Sequence, residues 1–262
     1  MPLIVSYATP GGPQYGLLID GVIHEWQENP LTAQEYKPLR PLTSPDAIQL
    51  NPPVYPSKIV CVGRNYAAHA AEHQAEVPEE PMLFLKPPSA LIGHQMPISF
   101  PDGIGRVDHE AELAVIMKRQ ARRVSRDEAL AYVLGYTCAN DVSARAYQKK
   151  DGQWGRAKGF DTFCPLGPWI STDINPLDVA VRARVNGEVR QNARTSAMIF
   201  DVPTLISFIS HVMTLQPGDV ILTGTPAGVS ELLDGDEVTI EIEGIGALTN
   251  SVKVMGRAEA QG

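Results

Sequence analysis

Two glutamates, Glu110 and Glu112, stand two positions apart in a segment that otherwise has the pattern of a strand entering an apolar core, residues 107 to 117. Side chains two apart on a strand point to the same face and lie about 6.5–7 Å apart along it. Carboxylates beside the apolar run 114 to 116 repel each other and resist desolvation, so they need a cation, a shared proton or basic partners. A hard divalent metal is the simplest solution, and ligation by oxygen alone suits Mg²⁺ or Mn²⁺ better than zinc.

A third acid, Asp141, ends the mostly apolar run that begins at Gly135. An acid that emerges from a buried strand is a natural third ligand, and together with Glu110 and Glu112 it would fill half of an octahedron with oxygen. Water or a chelating substrate would fill the rest. The alternative is three unrelated acids, with Asp141 capping the next turn, and the residues alone leave both interpretations open.

The composition limits which kinds of binding partner and which cellular compartment we expect for this protein. The 262 residues are 44% hydrophobic, which is enough for one large β-rich domain and a small one. The net charge of −8 and the pI near 5.3 argue against nucleic acid or an anionic membrane as partner. The odd number and wide spacing of the three cysteines fit reduced thiols. The sequence shows no pattern of a secretory signal or of a membrane-spanning segment. We therefore expect a cytoplasmic protein.

A proline-rich stretch separates two groups of predicted strands. Residues 17–26 are typical of an Asp-Gly hairpin, and the connector 51–56 follows. We predict a small N-terminal β subdomain with its connector over residues 1–56 and the main domain over residues 57–262. Short strands dominate without the βαβ rhythm of a Rossmann fold, so the predicted fold class is α+β. A second hairpin turns at Asn186-Gly187, and the other predicted strands are 58–63, 84–86, 97–100, 133–142, 179–185, 219–223 and 237–242.

Three segments have helical patterns. Residues 66–76 are rich in alanine but offer no large apolar stripe, so a short helix there would fray unless something docked it, as happens in a lid. An ordinary surface helix is the alternative. Ser125 and Glu128 form an S-x-x-E capping box that predicts a helix over residues 125–132. Residues 205–213 repeat apolar side chains at helical spacing.

Positive charge is concentrated between residues 145 and 158. Against a single acid, Asp151, this stretch carries Arg145, Lys149, Lys150, Arg156 and Lys158. A local excess of positive charge in an acidic protein favours the capture of an anionic small molecule, whereas a solvated loop is the alternative. Lys158 and Gln148 are polar groups with the reach to lie over a metal site.

A glycine-rich turn follows the predicted strand that ends at Thr223, with the sequence Gly224-Thr225-Pro226-Ala227-Gly228. Turns of this kind at strand ends present backbone N–H groups to a carboxylate. Most such turns have no ligand, so this feature by itself is weak.

The helical segment 66–76 contains two candidate chemistries. His69, Glu72 and His73 match the H-x-x-E-H pattern of inverted zinc proteases. That chemistry requires a helix packed into a core, which this alanine-rich segment does not offer, so the match favours a chance occurrence. His69 and Glu72 are also i and i+3, hence neighbours on one helix face. A carboxylate that orients an imidazole is a typical general base.

Taken together, these motifs resemble the fumarylacetoacetate hydrolase family. The resemblance runs from about residue 57 to 254, and the motifs occur in the order typical of the family. They are Gly63-Arg64-Asn65-Tyr66 with His69 and Glu72, Leu83-Phe84-Leu85-Lys86-Pro87, His109-Glu110-Ala111-Glu112-Leu113, Asn140-Asp141-Val142-Ser143-Ala144-Arg145 with Gln148, Ala157-Lys158-Gly159-Phe160-Asp161, Val185-Asn186-Gly187-Glu188-Val189-Arg190-Gln191, Met198-Ile199-Phe200 and Leu222-Thr223-Gly224-Thr225-Pro226.

The resemblance implies a catalytic domain with a mixed β-roll fold, a homodimer, and Mg²⁺ or Mn²⁺ held by Glu110, Glu112 and Asp141. It implies a lid that carries His69 and Glu72. It further implies that the substrate, a small anionic 2-oxo acid, meets Lys158, Gln148, Gly224 and Thr225, and that Arg64 and Lys86 support the pocket. One departure concerns Ala146, which stands where many relatives have an aspartate after the arginine.

Three functions follow as hypotheses. The first is hydrolysis of the C–C bond of an acylpyruvate-type 1,3-diketo acid, because both lid residues are present. The second is an oxaloacetate decarboxylase or keto–enol tautomerase, or a decarboxylase/isomerase of aromatic catabolism, since these reactions pass through the same enolate. The third is a binding protein that has kept the metal ligands and lost turnover.

Overall fold

The structure is a computed structural model, and it describes residues 3–72 and 74–256. Strands predominate and helices are few, which confirms the predicted α+β class with a mixed, sheet-rich roll. The strands are β1 (Leu3–Tyr7), β2 (Gln14–Ile19), β3 (Val22–Glu25), β4 (Pro41–Thr43), β5 (Ile59–Gly63), β6 (Met82–Lys86), β7 (Leu91–Ile92), β8 (Ile98–Pro101), β9 (Val107–Asp108), β10 (Ala111–Met117), β11 (Val133–Asn140), β12 (Ser143–Ala144), β13 (Cys164–Ser171), β14 (Ala180–Val185), β15 (Glu188–Arg194), β16 (Val220–Leu222), β17 (Glu237–Ile242) and β18 (Gly246–Met255). The helices are α1 (Ala67–Glu72), α2 (Arg145–Asp151), α3 (Gly155–Lys158) and α4 (Val202–Val212), with 3₁₀ turns at Pro45–Ala47, Pro88–Ala90, Ala129–Tyr132 and Thr195–Ala197.

Most strands belong to one mixed sheet with the spatial order β4-β3-β2-β1-β13-β11-β10-β16-β5-β6, and β7 pairs with β13. A second sheet has the order β15-β14-β17-β18-β8, and β9 pairs with β12. Strands β5 and β16 are parallel, whereas β10 is antiparallel to both of its neighbours, β11 and β16. The strands that lead to the three candidate ligands therefore lie in the interior of the large sheet.

Strand β10 is buried on both faces because it lies between two hydrophobic cores. Val115 belongs to the core that also contains Val181 of the second sheet. Ala114 and Ile116 belong to a separate core on the other side of β10. Side chains alternate along a strand, so Glu112 lies on the same face of β10 as Ala114. The carboxylate of Glu112 is therefore buried beside apolar side chains of a packed core. The apolar residues that follow it in the sequence predict this burial.

The two predicted hairpins are confirmed. Strands β2 and β3 turn at Asp20 and Gly21, whose φ angles are 48° and 79°, and β14 and β15 turn at Asn186 and Gly187, with φ of 52° and 79°. Positive φ at both central residues is what a two-residue hairpin turn of type I′ requires.

The N-terminal strands extend the large sheet. Strand β1 pairs antiparallel with β13, with Ile4 opposite Ile170. The predicted N-terminal subdomain therefore shares backbone hydrogen bonds with the main domain, and its boundary at residue 56 stays a prediction.

The predicted helix over residues 125–132 is wrong. Only Ala129–Tyr132 is helical, and it is a 3₁₀ turn. The hydroxyl of Ser125 donates to the carboxylate of Glu128 at 2.7 Å instead of accepting from a backbone N–H, so the capping box does not form.

The helix predicted over residues 66–76 is shorter than expected: α1 ends at Glu72.

The charge-rich segment 145–158 is not a solvated loop. It forms α2 and α3, and the side chain of Lys158 is buried.

Helix α4 begins at Val202, three residues before the apolar repeat that predicts it. Asp201 is the N-cap of α4. Its Oδ1 accepts a hydrogen bond from the N–H of Thr204 at 2.9 Å, and the guanidinium of Arg126 lies 2.5 Å from Oδ2 of Asp201.

No helix in residues 3–72 and 74–256 has the length and apolar character needed to cross a bilayer.

We expect Asp201→Ala to lower the free energy of unfolding by about 1 kcal/mol, because one N–H at the start of α4 loses its acceptor. Urea denaturation of the purified protein measures this change. Glu35→Ala removes an exposed ion pair with Lys37 and is the matched control, with an expected change below about 0.5 kcal/mol. Equal losses in the two variants would contradict the capping role of Asp201.

Candidate metal centre and active site

Three carboxylates meet where β10 begins and β11 ends, in the interior of the large sheet. One oxygen from each of Glu110, Glu112 and Asp141 lies within 4.8 Å of the others, and all three side chains are buried. Glu112 lies on β10, while Asp141 directly follows β11. The structure therefore brings the three predicted ligands together.

The prediction that Glu110 and Glu112 share one strand is wrong. His109 and Glu110 separate β9 from β10, so the segment is two strands with a break. Across this break the N–H of Glu110 donates to Oδ1 of Asn140 at 2.9 Å, and the N–H of Asp141 donates to the carbonyl of Glu110 at 2.9 Å. Side-chain and backbone bonds thus replace the ladder and hold two of the candidate ligands beside each other.

Buried cations surround the three acids. Lys158 Nζ lies 2.6 Å from Oε2 of Glu110 and 2.6 Å from Oδ2 of Asp141, and Lys86 Nζ lies 2.6 Å from Oδ1 of Asp141. The guanidinium of Arg145 lies 2.7 Å from Oε1 of Glu110. Burial of these charges is tolerable because each is paired.

The charges act differently on the two glutamates. Burial alone would raise the pKa of Glu110, but the positive charges of Lys158 and Arg145 outweigh it and hold the pKa below its usual value. Burial raises the pKa of Glu112 well above its usual value, and the negative charges of Asp141 and Glu110 add to the effect. Burial opposes the charge of Lys158 as well, but Asp141 and Glu110 overcome this and raise the pKa of its ammonium.

Glu112 is the acid that still needs positive charge. Among the described residues it makes no ion pair with a lysine or arginine, and its Oε2 accepts a hydrogen bond from the N–H of Gly224 at 2.6 Å. A donor set made only of carboxylate oxygens, one of them without a cationic partner, fits a hard divalent cation such as Mg²⁺ or Mn²⁺.

The imidazole of His69 and the carboxylate of Glu72 face each other on α1, with Nδ1 3.3 Å from Oε2. Glu72 also accepts from the N–H of Gly228, at 3.1 and 3.3 Å for its two oxygens. His69 and Ala70 are buried. The helix is therefore docked onto the glycine-rich turn. An ordinary surface helix would have neither these buried residues nor this hydrogen bond to the turn. His73, the last residue of the H-x-x-E-H match, lies outside the described residues.

A cavity of about 730 Å³ connects these groups. The three acids, His69 and Glu72 line it. So do four of the other predicted site residues, which are Arg64, Gln148, Lys158 and Thr225.

The other two predicted site residues, Lys86 and Gly224, are not among the described residues that line this cavity. Lys86 lies behind Asp141, and the N–H of Gly224 is taken by Glu112. Their roles toward substrate stay predictions.

Arg64 adopts a left-handed backbone conformation, with φ of 56°, at the end of β5. Residues other than glycine adopt it at a cost and often do so at functional sites. Arg64 and Lys149 are the cations of the cavity wall that have no carboxylate partner among the described residues. An anionic substrate fits them.

Asp108 and Trp154 line the cavity and were missed by the sequence reasoning. Asp108 is buried and binds Arg106 at 2.6 and 3.2 Å and Arg145 at 2.8 Å. Trp154 lies so close to Gly63 that a Cβ there would be 2.6 Å from its ring. Asp108 had a detectable signal, since it is a third acid in the segment that carries Glu110. Trp154 had none, because only the fold brings it to β5.

Ala146, where the resemblance leads us to expect an aspartate, follows an arginine that has acidic partners. Arg145 binds Asp108, Glu110 and, at 2.8 Å, Oε1 of Gln148, so it does not lack a partner. A Cβ placed on Gly105 would lie 3.2 Å from the Cβ of Ala146. The alanine is therefore compatible with an ordered arginine.

Comparison with known proteins adds independent findings. The sequence profile described as fumarylacetoacetate (FAA) hydrolase, C-terminal, matches residues 58–253. An oxaloacetate tautomerase of Xenopus laevis, named as mitochondrial, is 44% identical over 215 residues, which are 78% of this chain and 67% of the relative.

Two solved structures agree in fold over nearly the whole chain. A 2-hydroxyhepta-2,4-diene-1,7-dioate isomerase of Mycobacterium marinum has a TM-score of 0.89 and 44% identity, covering 98% of this chain and 99% of its own. A 5-carboxymethyl-2-hydroxymuconate delta-isomerase of Mycobacterium smegmatis has a TM-score of 0.89 and 47% identity, covering 97% of this chain and all of its own.

Proposed function

Since this chain belongs to the fumarylacetoacetate hydrolase family, we propose that it is a divalent-metal-dependent enzyme that hydrolyses the C–C bond of acylpyruvate-type 1,3-diketo acids. Members of the family are enzymes that act on small substrates. One observation carries the choice of hydrolysis: a histidine–carboxylate pair, His69 and Glu72, lines the same cavity as three converging acids.

Glu110, Glu112 and Asp141 would hold the cation, which fits the typical use of a divalent metal in this family. A bound Mg²⁺ or Mn²⁺ supplies a Lewis acid that lowers the energy of an enolate developing on a carbonyl oxygen. The cavity wall around the three acids carries the positive charges of Lys158 and Arg145, which attract the carboxylate of a 2-oxo acid.

His69 is the proposed general base. Glu72 accepts a hydrogen bond from Nδ1, and this orients the imidazole for a base that takes a proton from water at Nε2. The water oxygen forms a bond to the distal carbonyl carbon, and the C–C bond to the pyruvyl unit breaks. The electron pair of that bond goes to the enolate of pyruvate, which regains a proton, and the other product is a carboxylic acid.

Lys158 is the proposed partner of the growing negative charge. Its ammonium is buried, and burial strengthens its interaction with an oxyanion. Gln148 and Thr225 line the cavity and offer hydrogen bonds to substrate oxygens, while Arg64 offers a positive charge without a carboxylate partner in the described part of the chain. Gly224 and Lys86 support the ligands Glu112 and Asp141 from behind.

A second candidate function is keto–enol tautomerisation or decarboxylation of oxaloacetate, or isomerisation of a related dienoate. The names of the frog tautomerase and the two mycobacterial isomerases favour it. Proton transfer between keto and enol forms, and loss of CO₂ from oxaloacetate, pass through the same kind of enolate and need no attacking water. A homodimer, which the resemblance to the family implies, and a cytoplasmic location, which the cysteine spacing favours, remain part of the proposal.

A panel of 2-oxo acids assayed with Mg²⁺ or Mn²⁺ tests the proposed function. We expect pyruvate and acetate to form from acetylpyruvate, and activity to disappear after exhaustive chelation and return when metal is added back. On oxaloacetate, loss of enol absorbance without pyruvate would identify a tautomerase, and release of CO₂ a decarboxylase. A protein that leaves acetylpyruvate intact, or that stays fully active after chelation, would contradict the proposal.

A further inference from the structure

Gln191 is a polar residue in the one position of β15 where an apolar side chain would be expected. Its side chain is fully buried, while its neighbours along the strand are exposed or half-buried. Both ends of a buried amide must find hydrogen-bond partners, or the burial is costly. The partners of Gln191 therefore indicate why the residue is polar.

Gln191 closes a ring of hydrogen bonds around Ala111, the residue between Glu110 and Glu112. Its Oε1 accepts from the N–H of Ala111 at 2.9 Å, and its Nε2 donates to Oγ1 of Thr225 at 2.8 Å. The hydroxyl of Thr225 then donates to the carbonyl of Ala111 at 2.9 Å. Both backbone groups of Ala111 are thus held by side chains from two other segments.

The same bonds connect β10 to the glycine-rich turn. Nε2 of Gln191 also donates to the carbonyl of Pro226 at 2.6 Å. At the other end of the turn, a Cβ on Gly228 would lie 2.1 Å from the carbonyl of Arg190, so the turn rests directly on β15. Strand β15 therefore fixes the distance between the turn and the two glutamates.

From this ring we infer that Gln191 is a positioning residue for the metal site: it sets the backbone between Glu110 and Glu112 against the turn at Thr225. The inference rests on the proposed function, because it requires the acids to bind a cation. Residues that orient metal ligands change metal affinity by roughly 10–100-fold when they are replaced.

Binding of Mn²⁺ to the purified full chain, followed by the electron paramagnetic resonance of free Mn²⁺, tests this role. Gln191→Met keeps the length of the side chain and removes its hydrogen bonds to Ala111, Thr225 and Pro226. We expect it to weaken Mn²⁺ binding roughly 10–100-fold. Asn250→Leu is the matched control, because Asn250 is also buried and donates to two carbonyls, of Gly93 and Met96, outside the metal site. It should lower Tm and leave Mn²⁺ affinity unchanged.

A second pair of variants tests the ring if Gln191→Met does not fold. Thr225→Val removes the hydroxyl of the ring and should weaken Mn²⁺ binding, whereas Thr225→Ser keeps the hydroxyl and should restore it. Wild-type Mn²⁺ affinity in Gln191→Met or in Thr225→Val would overturn the role of Gln191. Absence of Mn²⁺ binding by the wild type would instead overturn the metal site of the proposed function.

Discussion

Glu110→Gln should lower kcat/KM for acetylpyruvate by roughly 10³-fold or more, equivalent to about 4 kcal/mol of transition-state stabilisation. The substitution keeps the shape of the side chain and removes one of three negative charges. It also leaves Lys158 with Asp141 as its remaining acid and Arg145 with Asp108. The divalent cation then has one anionic ligand fewer, and the charges of Lys158 and Arg145 are less neutralised. Mn²⁺ binding should therefore fall together with turnover.

Steady-state kinetics over a range of Mn²⁺ concentrations, with Mn²⁺ binding measured on the same protein, checks this expectation. Glu128→Gln is the control, since Glu128 is exposed and its side chain forms a hydrogen bond with Ser125, far from the three acids in the sequence. Its activity should equal that of the wild type. If Glu110→Gln kept wild-type kcat/KM while remaining folded, the metal-centred mechanism would be wrong.

His69→Ala should lower hydrolysis of acetylpyruvate by roughly 10²–10⁴-fold, the usual contribution of a general base. Turnover of oxaloacetate by decarboxylation should change much less, because that reaction needs no activated water. The two substrates assayed side by side on wild type and variant therefore separate the hydrolytic dyad from the enolate chemistry.

His211→Ala is the control for this second prediction. His211 is exposed on α4, and its Nδ1 lies 2.9 Å from the carbonyl of Ser207 in the same helix. It should leave both activities unchanged. Hydrolysis retained in His69→Ala would remove His69 and Glu72 from the mechanism, and an equal loss on both substrates would favour a general role for His69 in proton transfer.

Local patterns predicted much of the fold. The Asp20-Gly21 and Asn186-Gly187 hairpins form as expected because two-residue turns depend on the φ angles of their own residues. The capping box at Ser125 failed because its hydroxyl prefers the carboxylate of Glu128, a competition that the spacing does not reveal. A solvated loop stayed open as the alternative for segment 145–158, because the acids that pair with Arg145 and Lys158 are distant in the sequence.

The three acids illustrate the division between sequence and tertiary structure. From the residue types alone, Glu110 and Glu112 require a cation, a shared proton or basic partners, since two carboxylates in an apolar segment are unstable alone. The sequence does not show which residues supply positive charge to these acids. Lys86 lies 55 residues from Asp141, and Lys158 lies 48 residues from Glu110, so only the fold brings these pairs to 2.6 Å.

The same holds for the hydrogen bonds that set the geometry. Gln191 is 80 residues from Ala111, and Gly228 is 156 residues from Glu72, yet both pairs are bonded. The chemistry of a side chain depends on its residue type, and this is why the candidate ligands and the pair His69 and Glu72 could be proposed from the sequence. Distances and counter-charges depend on which strands become neighbours in the sheet, and that is decided by the burial of the whole core.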